Sequence, residues 1–333
     1  MTAQESIFVS GANGYIAQHV VKQLLEKNYK VVGSVRSESK GEDLSKLVNS
    51  KDFSYVVVPD IAIKGAFDKA LETHPDITTF IHTASPVTFR VQDPIKEIVN
   101  PAVEGTKNVL NAVKEHGKQV KHLVFTSSVA AVKSPKPDLS KILTEDAWNP
   151  ITLEQVTDGL TGYSASKKFT EKALWDYVKK ESPQFKVTAV NPSFVFGPQA
   201  YAIKDKSQLN LSADIVAQVF RLKPDDKIEP FAGVFIDVRD VAKAHLAAFE
   251  NKEAIGQRLV LINGAFSTDL IADIVKKNFP QAQIPSGDLA RSKQIVKEKV
   301  GKSDTSRTNK ILGFDFISVE KSIIDTAEQF YNE

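Results

Sequence analysis

The chain has 333 residues, of which 42% are hydrophobic and 25% charged, as expected for a globular protein with one large domain or two. Its 43 basic and 41 acidic residues give a formal net charge of +2, and neither sign forms a block, so we expect no binding to nucleic acid or to an anionic membrane. The absence of cysteine excludes disulfides, thiolate zinc sites and thiol nucleophiles, and we predict no metal site. With neither a signal-peptide pattern nor an apolar run of about 18 residues, a cytoplasmic protein is predicted.

The first half of the chain alternates short β-branched runs with stretches of helical periodicity. This alternation indicates βαβ units, and therefore a Rossmann-type, doubly wound parallel sheet of the α/β class. Helices are predicted over 15–27 and 95–115, and Pro101 is expected to kink the second or to divide it from a preceding segment. The predicted strands are 7–10, 30–35, 55–58, 79–82, 122–126 and 186–190.

The pattern changes after Asn191-Pro192, where loops rich in Pro, Lys and Asp interrupt the alternation. A helix over 237–250 and a strand over 257–262 then return to the sheet pattern, and a final helix is predicted over 319–331. We therefore predict two regions: a nucleotide-binding domain formed by 1–193 and 236–263, and a smaller, discontinuous substrate lobe formed by 194–235 and 264–333.

A glycine-rich turn joins the first strand to the first helix. Glycines allow a tight turn and a close backbone approach, and the amides of a helix N-terminus suit a pyrophosphate. A tight strand-to-helix connection would explain the glycines too, but the position at the first βα junction favours a dinucleotide. The predicted contacts are Gly11, Ala12, Asn13, Gly14, Tyr15 and Ile16.

The end of the second strand indicates which dinucleotide is bound. An acidic residue there binds the adenosine ribose hydroxyls, whereas arginine accommodates a 2′-phosphate. Here the strand ends in Arg36, with Lys40 four residues on, so NADP(H) is predicted. The alternative is that both are solvated surface cations.

Two further segments follow predicted strands. Asp60 could accept a hydrogen bond from the adenine amino group while Ile61 packs against the ring, although Asp60 could equally be a helix cap. After the fourth strand, Thr83-Ala84-Ser85 is predicted to line the channel under the cofactor.

Tyr163 and Lys167 are four residues apart on a predicted helix, so their side chains should be neighbours. Of the 7 tyrosines, only Tyr163 has a lysine at this spacing. A nearby ammonium should lower the tyrosine pKa and make it a proton donor for a carbonyl. The fifth strand ends in Thr126-Ser127-Ser128, and Ser128 is the predicted substrate-facing hydroxyl, although such serines often only satisfy backbone groups.

These motifs together resemble those of the extended short-chain dehydrogenase/reductases over nearly the whole chain. Within that family the sequence is similar to the dihydroflavonol reductase and cinnamoyl-CoA reductase branch, including its fungal NADPH-dependent methylglyoxal reductases. The motifs are Gly11-x-x-Gly14-x-x-Ala17, Thr126-Ser127-Ser128, Tyr163-x-x-x-Lys167, Asn191-Pro192 and Asp237-Val238-x-Asp240-Val241-Ala242.

The resemblance implies an NADPH-dependent reductase of aldehydes, ketones or dicarbonyls, such as methylglyoxal, 3-methylbutanal or bulky prochiral ketones. It implies that Ser128, Tyr163 and Lys167 are catalytic. Val129 departs from the close relatives, which have tyrosine there, so their substrate range need not apply. The resemblance adds cofactor contacts to those predicted above, namely Tyr163, Lys167, Val195 and Ser212, with Thr126 and Pro192 from the shared motifs.

The substrate is predicted to be a small carbonyl compound, and the enzyme a monomer or a homodimer. Two alternatives remain open: an NAD-dependent nucleotide-sugar epimerase or dehydratase, against which Arg36 argues, and a non-catalytic NADP(H)-sensing protein. The predicted substrate contacts, each of which could also be ordinary core, are Phe89, Val129, Phe194 and Tyr201.

Overall fold

The structure is a computed structural model that describes residues 4–85, 90–134, 138–202 and 211–332, without the side chains of 211, 212 and 332. Predicted Phe89 lies outside these residues, as does the side chain of predicted Ser212. Within them the chain forms two compact units. The first comprises Met1–Pro135, Glu145–Asn191 and Ala242–Leu259, and the second comprises Lys136–Thr144, Pro192–Val241 and Val260–Glu333.

A parallel sheet organises the first unit, with the strand order β3-β2-β1-β4-β5-β6-β9. The order reverses between β1 and β4, which is the arrangement of a doubly wound sheet, so the predicted fold class is confirmed. The strands of this sheet are β1 (Ser6–Ser10), β2 (Lys30–Val35), β3 (Phe53–Val57), β4 (Ile77–His82), β5 (His122–Thr126), β6 (Lys186–Pro192) and β9 (Arg258–Leu261).

Helices connect these strands. Pro101 stands in the first turn of α4, directly after a single π-helical turn over Ile95–Val99, so its ring, which has no N–H to donate, lies where the hydrogen bonding changes from the π to the α pattern. The helices of the first unit are α1 (Tyr15–Glu26), α2 (Glu38–Val48), α3 (Asp68–Thr73), α4 (Asn100–Glu115), α5 (Gly159–Glu181) and the greater part of α7 (Val238–Glu250).

An aromatic cluster forms the centre of the first unit's core. The rings of Phe8 and Phe80 have their centroids 4.6 Å apart, and Phe67 packs edge-on against Phe80 at 5.5 Å. All three are fully buried on one face of the sheet, under helices α3, α4 and α5. This packing fixes the strands whose carboxyl ends carry the predicted site.

The second unit has a small sheet of its own, with the strand order β10-β8-β7. Its core joins Phe196, Phe235 and Phe266 to apolar residues of the surrounding helices. The predicted lobe, 194–235 and 264–333, lies within this unit, which also includes 136–144, 192–193, 236–241 and 260–263. Its elements are β7 (Phe194–Phe196), β8 (Ala232–Asp237), β10 (Ala265–Ser267), α6 (Leu211–Phe220), α8 (Thr268–Asn278), α9 (Leu289–Lys299), α10 (Ser306–Leu312) and α11 (Val319–Asn332).

No helix among the described residues combines the length and the hydropathy that a membrane-spanning segment needs. In the same part of the chain, His, Asp and Glu form no group of three or more suited to holding a metal ion.

Candidate active site

A cavity of about 610 Å³ lies at the carboxyl ends of β1 to β4, where open α/β sheets bind their ligands. The segments that follow these four strands form its wall, together with the start of α4. The lining residues are Gly11, Asn13, Gly14, Ser34, Val35, Arg36, Lys40, Val58, Pro59, Asp60, Ile61, Ala62, Thr83, Ala84, Ser85 and Pro101.

The glycine turn brings backbone to the cavity surface. Gly11 has φ +66°, a left-handed conformation that favours glycine, and a Cβ there would lie 3.1 Å from the Cα of Ala84. The amide of Gly14 donates to the carbonyl of Gly11 at 2.9 Å, which closes the turn just before α1. A side chain at Gly11 would therefore press against Ala84 on the cavity wall.

The turn also requires a glycine at position 33 in β2, and this requirement was not predicted from the sequence. A Cβ at Gly33 would lie 2.6 Å from the Cβ of Ala12, closer than two such atoms approach. The backbone amide of Gly11 donates to the Ser34 hydroxyl at 3.1 Å, and the backbone amide of Ala12 donates to the Ser34 carbonyl at 2.8 Å. Ala12 is thus buried between the turn and β2, and it supports the cavity without lining it.

The end of β2 contributes positive charge to the cavity. Arg36 and Lys40 are both exposed and both line the wall, and Lys40 stands in the first turn of α2. Because a guanidinium fork and an ammonium group both suit phosphate, this end of the cavity fits a 2′-phosphate. A glycine cradle at one point of the cavity and two cations at another together fit NADP(H).

Asp60 and Ile61, which follow β3 beside β2, form another part of the cavity wall. The Asp60 carboxylate accepts the amide of Ala62 at 2.8 Å, so it caps this turn while it lines the wall. The Ile61 carbonyl accepts the Asn108 side-chain amide at 2.9 Å, and the Ile61 side chain packs against Gly105 of α4. Helix α4 therefore fixes the segment that was predicted to meet the adenine.

Ser10 holds the Thr83-Ala84-Ser85 segment in place. Its hydroxyl accepts the amides of Thr83 and Ala84, at 3.0 Å and 3.1 Å, and lies 2.8 Å from Nδ1 of His82. Because two N–H groups occupy its acceptor positions, the hydroxyl donates its proton to His82. Burial, with a smaller contribution from the Lys167 ammonium, lowers the pKa of His82 to about 3, so the ring is a neutral acceptor.

The structure brings Tyr163 to Ser128 and Lys167 to the Tyr163 ring, although their electrostatics differ from the prediction. The Tyr163 hydroxyl is 3.5 Å from Oγ of Ser128, and Nζ of Lys167 donates to Ser85 at 3.2 Å. Nζ lies 5.7 Å from the centroid of the Tyr163 ring. Burial raises the pKa of Tyr163, against a smaller lowering by the hydrogen bond with Ser128, and burial lowers the pKa of Lys167 to about 8. The expected lowering of the tyrosine pKa is wrong for this geometry because desolvation dominates.

Ser128 begins the 3-10 turn that follows β5, and its Oγ accepts the amide of Ala130 at 3.1 Å. The amide of Asn149 supports the same turn by donating to the carbonyls of Ala130 and Lys133, at 2.8 Å and 3.0 Å. The serine therefore satisfies a backbone group and also faces Tyr163, and its contact with a substrate stays a prediction.

Several predicted cofactor residues do not line this cavity, and Tyr163 and Lys167 are among them. Tyr15 and Ile16 lie in the first turn of α1, and the Thr126 hydroxyl pairs with Nε2 of His245 at 2.7 Å. Pro192 and Val195 belong to the second unit. Their cofactor contacts stay predictions.

The described substrate candidates have packing roles of their own. Val129 opens the 3-10 turn and is 7% exposed. In the second unit, the Phe194 ring packs edge-on against Phe231 and Phe266, and the Tyr201 carbonyl accepts the Gln329 side-chain amide at 3.2 Å. Their contact with a substrate also stays a prediction.

Sequence reasoning missed the residues that hold these side chains in place. They are Ser10, Gly33, Asn149, Glu171 and Arg258. The signal for Glu171 was present, because it continues the four-residue spacing of Tyr163 and Lys167 along α5.

Known proteins share this fold and sequence over almost the full length. Residues 7–262 match the NAD dependent epimerase/dehydratase family. GRP2 of Candida albicans, named for NADPH-dependent methylglyoxal reductase activity, is 50% identical over 339 residues, which span 99% of each chain. The crystal structure of Candida albicans Gre2 in complex with NADPH has a TM-score of 0.95 and 44% identity, covering 98% of this chain and 99% of that one.

The yeast methylglyoxal/isovaleraldehyde reductase Gre2, crystallised with NADPH, has a TM-score of 0.90 and 40% identity, covering 98% of each chain. The chain therefore belongs to the NAD dependent epimerase/dehydratase family and, within it, to the group that contains these fungal NADPH-dependent reductases.

Proposed function

We propose that this protein is an NADPH-dependent carbonyl reductase that converts aldehydes, ketones or dicarbonyls to alcohols. One observation carries the proposal: the Tyr163 hydroxyl faces Ser128, and Lys167 on the same helix donates to Ser85 on the wall of the cavity that the glycine turn and Arg36 also line. The relatives named for methylglyoxal and isovaleraldehyde reduction support small aldehydes and dicarbonyls as substrates.

In this proposal the turn at Gly11 and the Arg36 and Lys40 cations would hold NADPH, which supplies the hydride. The half-buried Tyr163 hydroxyl donates a proton to the carbonyl oxygen. Its raised pKa keeps it protonated at neutral pH, as a donor requires. Ser128 holds the same oxygen by a hydrogen bond, and Lys167 supplies a positive charge that stabilises the tyrosinate left after proton transfer.

The epimerase alternative fits less well. The cavity has Arg36 rather than a carboxylate at the end of β2, and the proteins of known structure reported above contain NADPH. The sensing alternative does not require Ser128, Tyr163 and Lys167 to meet. We therefore retain the reductase as the single proposal.

The test follows the absorbance of NADPH with methylglyoxal, 3-methylbutanal and an aryl ketone, and repeats each assay with NADH. We expect turnover with at least one carbonyl compound and a preference for NADPH. An enzyme that oxidises NADPH with none of them would contradict the proposal and favour the sensing protein.

The proposed setting is the cytoplasm, with a small carbonyl compound as the partner. The proposed assembly is a monomer or a homodimer, and light scattering coupled to size-exclusion chromatography distinguishes the two.

A further inference from the structure

A buried carboxylate lies one helical turn beyond Lys167. Tyr163, Lys167 and Glu171 follow one another at four-residue intervals on α5, so they share one face of the helix. Glu171 is fully buried. Because an ionised carboxylate is costly to bury, its partners show what it does.

One oxygen of Glu171 holds the end of β5. Its Oε2 accepts the Ser127 hydroxyl at 2.5 Å and the Asn191 side-chain amide at 2.6 Å. The same amide donates to the carbonyl of Ser128 at 3.2 Å. Glu171 therefore determines the position of the segment that carries the Ser128 hydroxyl.

The other oxygen is held by a buried cation. Oε1 accepts Nε of Arg258 at 2.5 Å and the Trp175 indole N–H at 3.2 Å. Arg258 also donates to the carbonyls of Glu145 and Ala147, at 2.8 Å and 2.6 Å. The ring of Trp148 lies 3.9 Å from the guanidinium carbon. These contacts fix both members of the ion pair.

The charge of Glu171 also acts on Lys167. Burial lowers the pKa of Lys167, and the Glu171 carboxylate opposes that effect. Lys167 contacts Ser85 on the cavity wall, so its charge bears on the proposed chemistry. Glu171 thus acts on two groups of the candidate site, the Ser128 hydroxyl and the Lys167 ammonium.

We propose that Glu171 is a positioning residue for the carbonyl reduction: it fixes Ser128 through Asn191 and Ser127, and it keeps Lys167 in its ammonium form. Arg258 serves to hold Glu171 in place. This inference rests on the proposed function.

The test is the pH profile of kcat for wild type and for a double variant, Glu171→Gln with Arg258→Met. Glu171→Gln alone would leave a buried guanidinium unpaired and threaten folding, whereas the double variant removes both charges.

In the wild type, kcat should fall as the pH rises through about 8, where Lys167 loses its proton. In the double variant we expect kcat to be about tenfold lower and its alkaline limb to move to lower pH, by less than the loss of Glu171 alone would cause because the Arg258 charge is lost as well. The Kd for NADPH, measured by calorimetry, should stay within about threefold, since neither residue lines the cavity.

Glu181→Gln is the matched control. Glu181 lies on the same helix, about 15 Å beyond Glu171 along its axis, and pairs with Lys114 at 2.9 Å near the surface. Its pH profile should coincide with that of the wild type.

A folded double variant with wild-type kcat and pH profile would reduce Glu171 to a structural role and overturn the inference. If the double variant does not fold, Asn191→Ala decides, because it keeps the ion pair and removes the link to Ser128. A loss of about tenfold in kcat supports the inference, and a full kcat overturns it. A wild-type enzyme without turnover contradicts the proposed function itself, which is a different result.

Discussion

The two ends of the candidate site are built in different ways. At the glycine end, the backbone of the turn packs against β2 and β4, and close contacts at Gly11 and Gly33 determine its shape. At the Ser128 end, side chains from distant segments hold the reacting groups, with Arg258 and Glu171 separated by 87 residues in the chain.

This difference predicts which property of the enzyme a substitution at each end of the site should change. Changes at the glycine end alter the fit of backbone to ligand, so they should appear in cofactor affinity. Changes at the Ser128 end leave that cradle intact, so they should appear in kcat. Each variant below tests this separation.

The largest effect is expected at the proton donor. Tyr163→Phe removes the hydroxyl that faces Ser128, and loss of general acid catalysis should lower kcat about 10³-fold. NADPH absorbance gives the rate, and calorimetry should show a nearly unchanged Kd for NADPH. A variant that keeps most of its kcat would remove Tyr163 from the proposed mechanism.

The next effect is expected at Arg36. Charge-assisted hydrogen bonds to phosphate contribute about 1.5–3 kcal/mol, so Arg36→Ala should weaken NADPH binding about tenfold to a hundredfold and leave NADH binding unchanged. Lys30→Ala, at the exposed start of the same strand, is the control. An equal loss of affinity for NADPH and NADH would show that Arg36 does not bind the 2′-phosphate.

A smaller effect is expected at Gly33. The added Cβ of Gly33→Ala would meet Ala12, and such overpacking costs about 1–3 kcal/mol. Thermal unfolding followed by circular dichroism should show a lower Tm, and NADPH should bind several-fold more weakly. Gly301→Ala is the control, because a Cβ there lies 3.7 Å from its nearest neighbour. Equal Tm values for the two variants would mean that the turn adjusts freely.

The smallest effect is expected at Ser10. Ser10→Ala removes the acceptor of two amides, and each unsatisfied buried donor costs about 1–3 kcal/mol, which water entering the cavity should partly offset. We expect a lower Tm and a Kd for NADPH raised only a few-fold. Ser6→Ala, at the buried start of the same strand, is the control. A change in kcat without a change in Kd would contradict the prediction that substitutions at the glycine end act on cofactor affinity.

Local pattern was enough to predict most of the fold. The predicted strands 30–35 and 122–126 match β2 and β5 residue for residue, and Pro101 lies in the first turn of α4, next to the π-helical turn that precedes it. Strand periodicity, glycine turns and proline act over a few residues, so they can be read from the chain. The glycine turn and the Tyr163/Lys167 pair were found for this reason.

Most of the supporting groups could not be predicted because their function appears only after folding; Glu171 alone had a local signal, its four-residue spacing from Lys167 along α5. Nothing near Gly33 in the sequence indicates Ala12, and nothing near Arg258 indicates Glu171. The raised pKa of Tyr163 has the same origin, since the sequence showed a neighbouring lysine but not the burial that dominates. The identity of the reacting groups could be predicted from local sequence patterns, whereas their environment depends on residues that are distant in the chain.

Both tryptophans of the chain contact the Glu171–Arg258 pair: Trp175 donates to Glu171, and Trp148 covers Arg258. The tryptophan fluorescence of the whole protein therefore comes from indoles placed at this one ion pair. Emission excited at the indole band should report the state of the pair in the unmodified enzyme, without an introduced label.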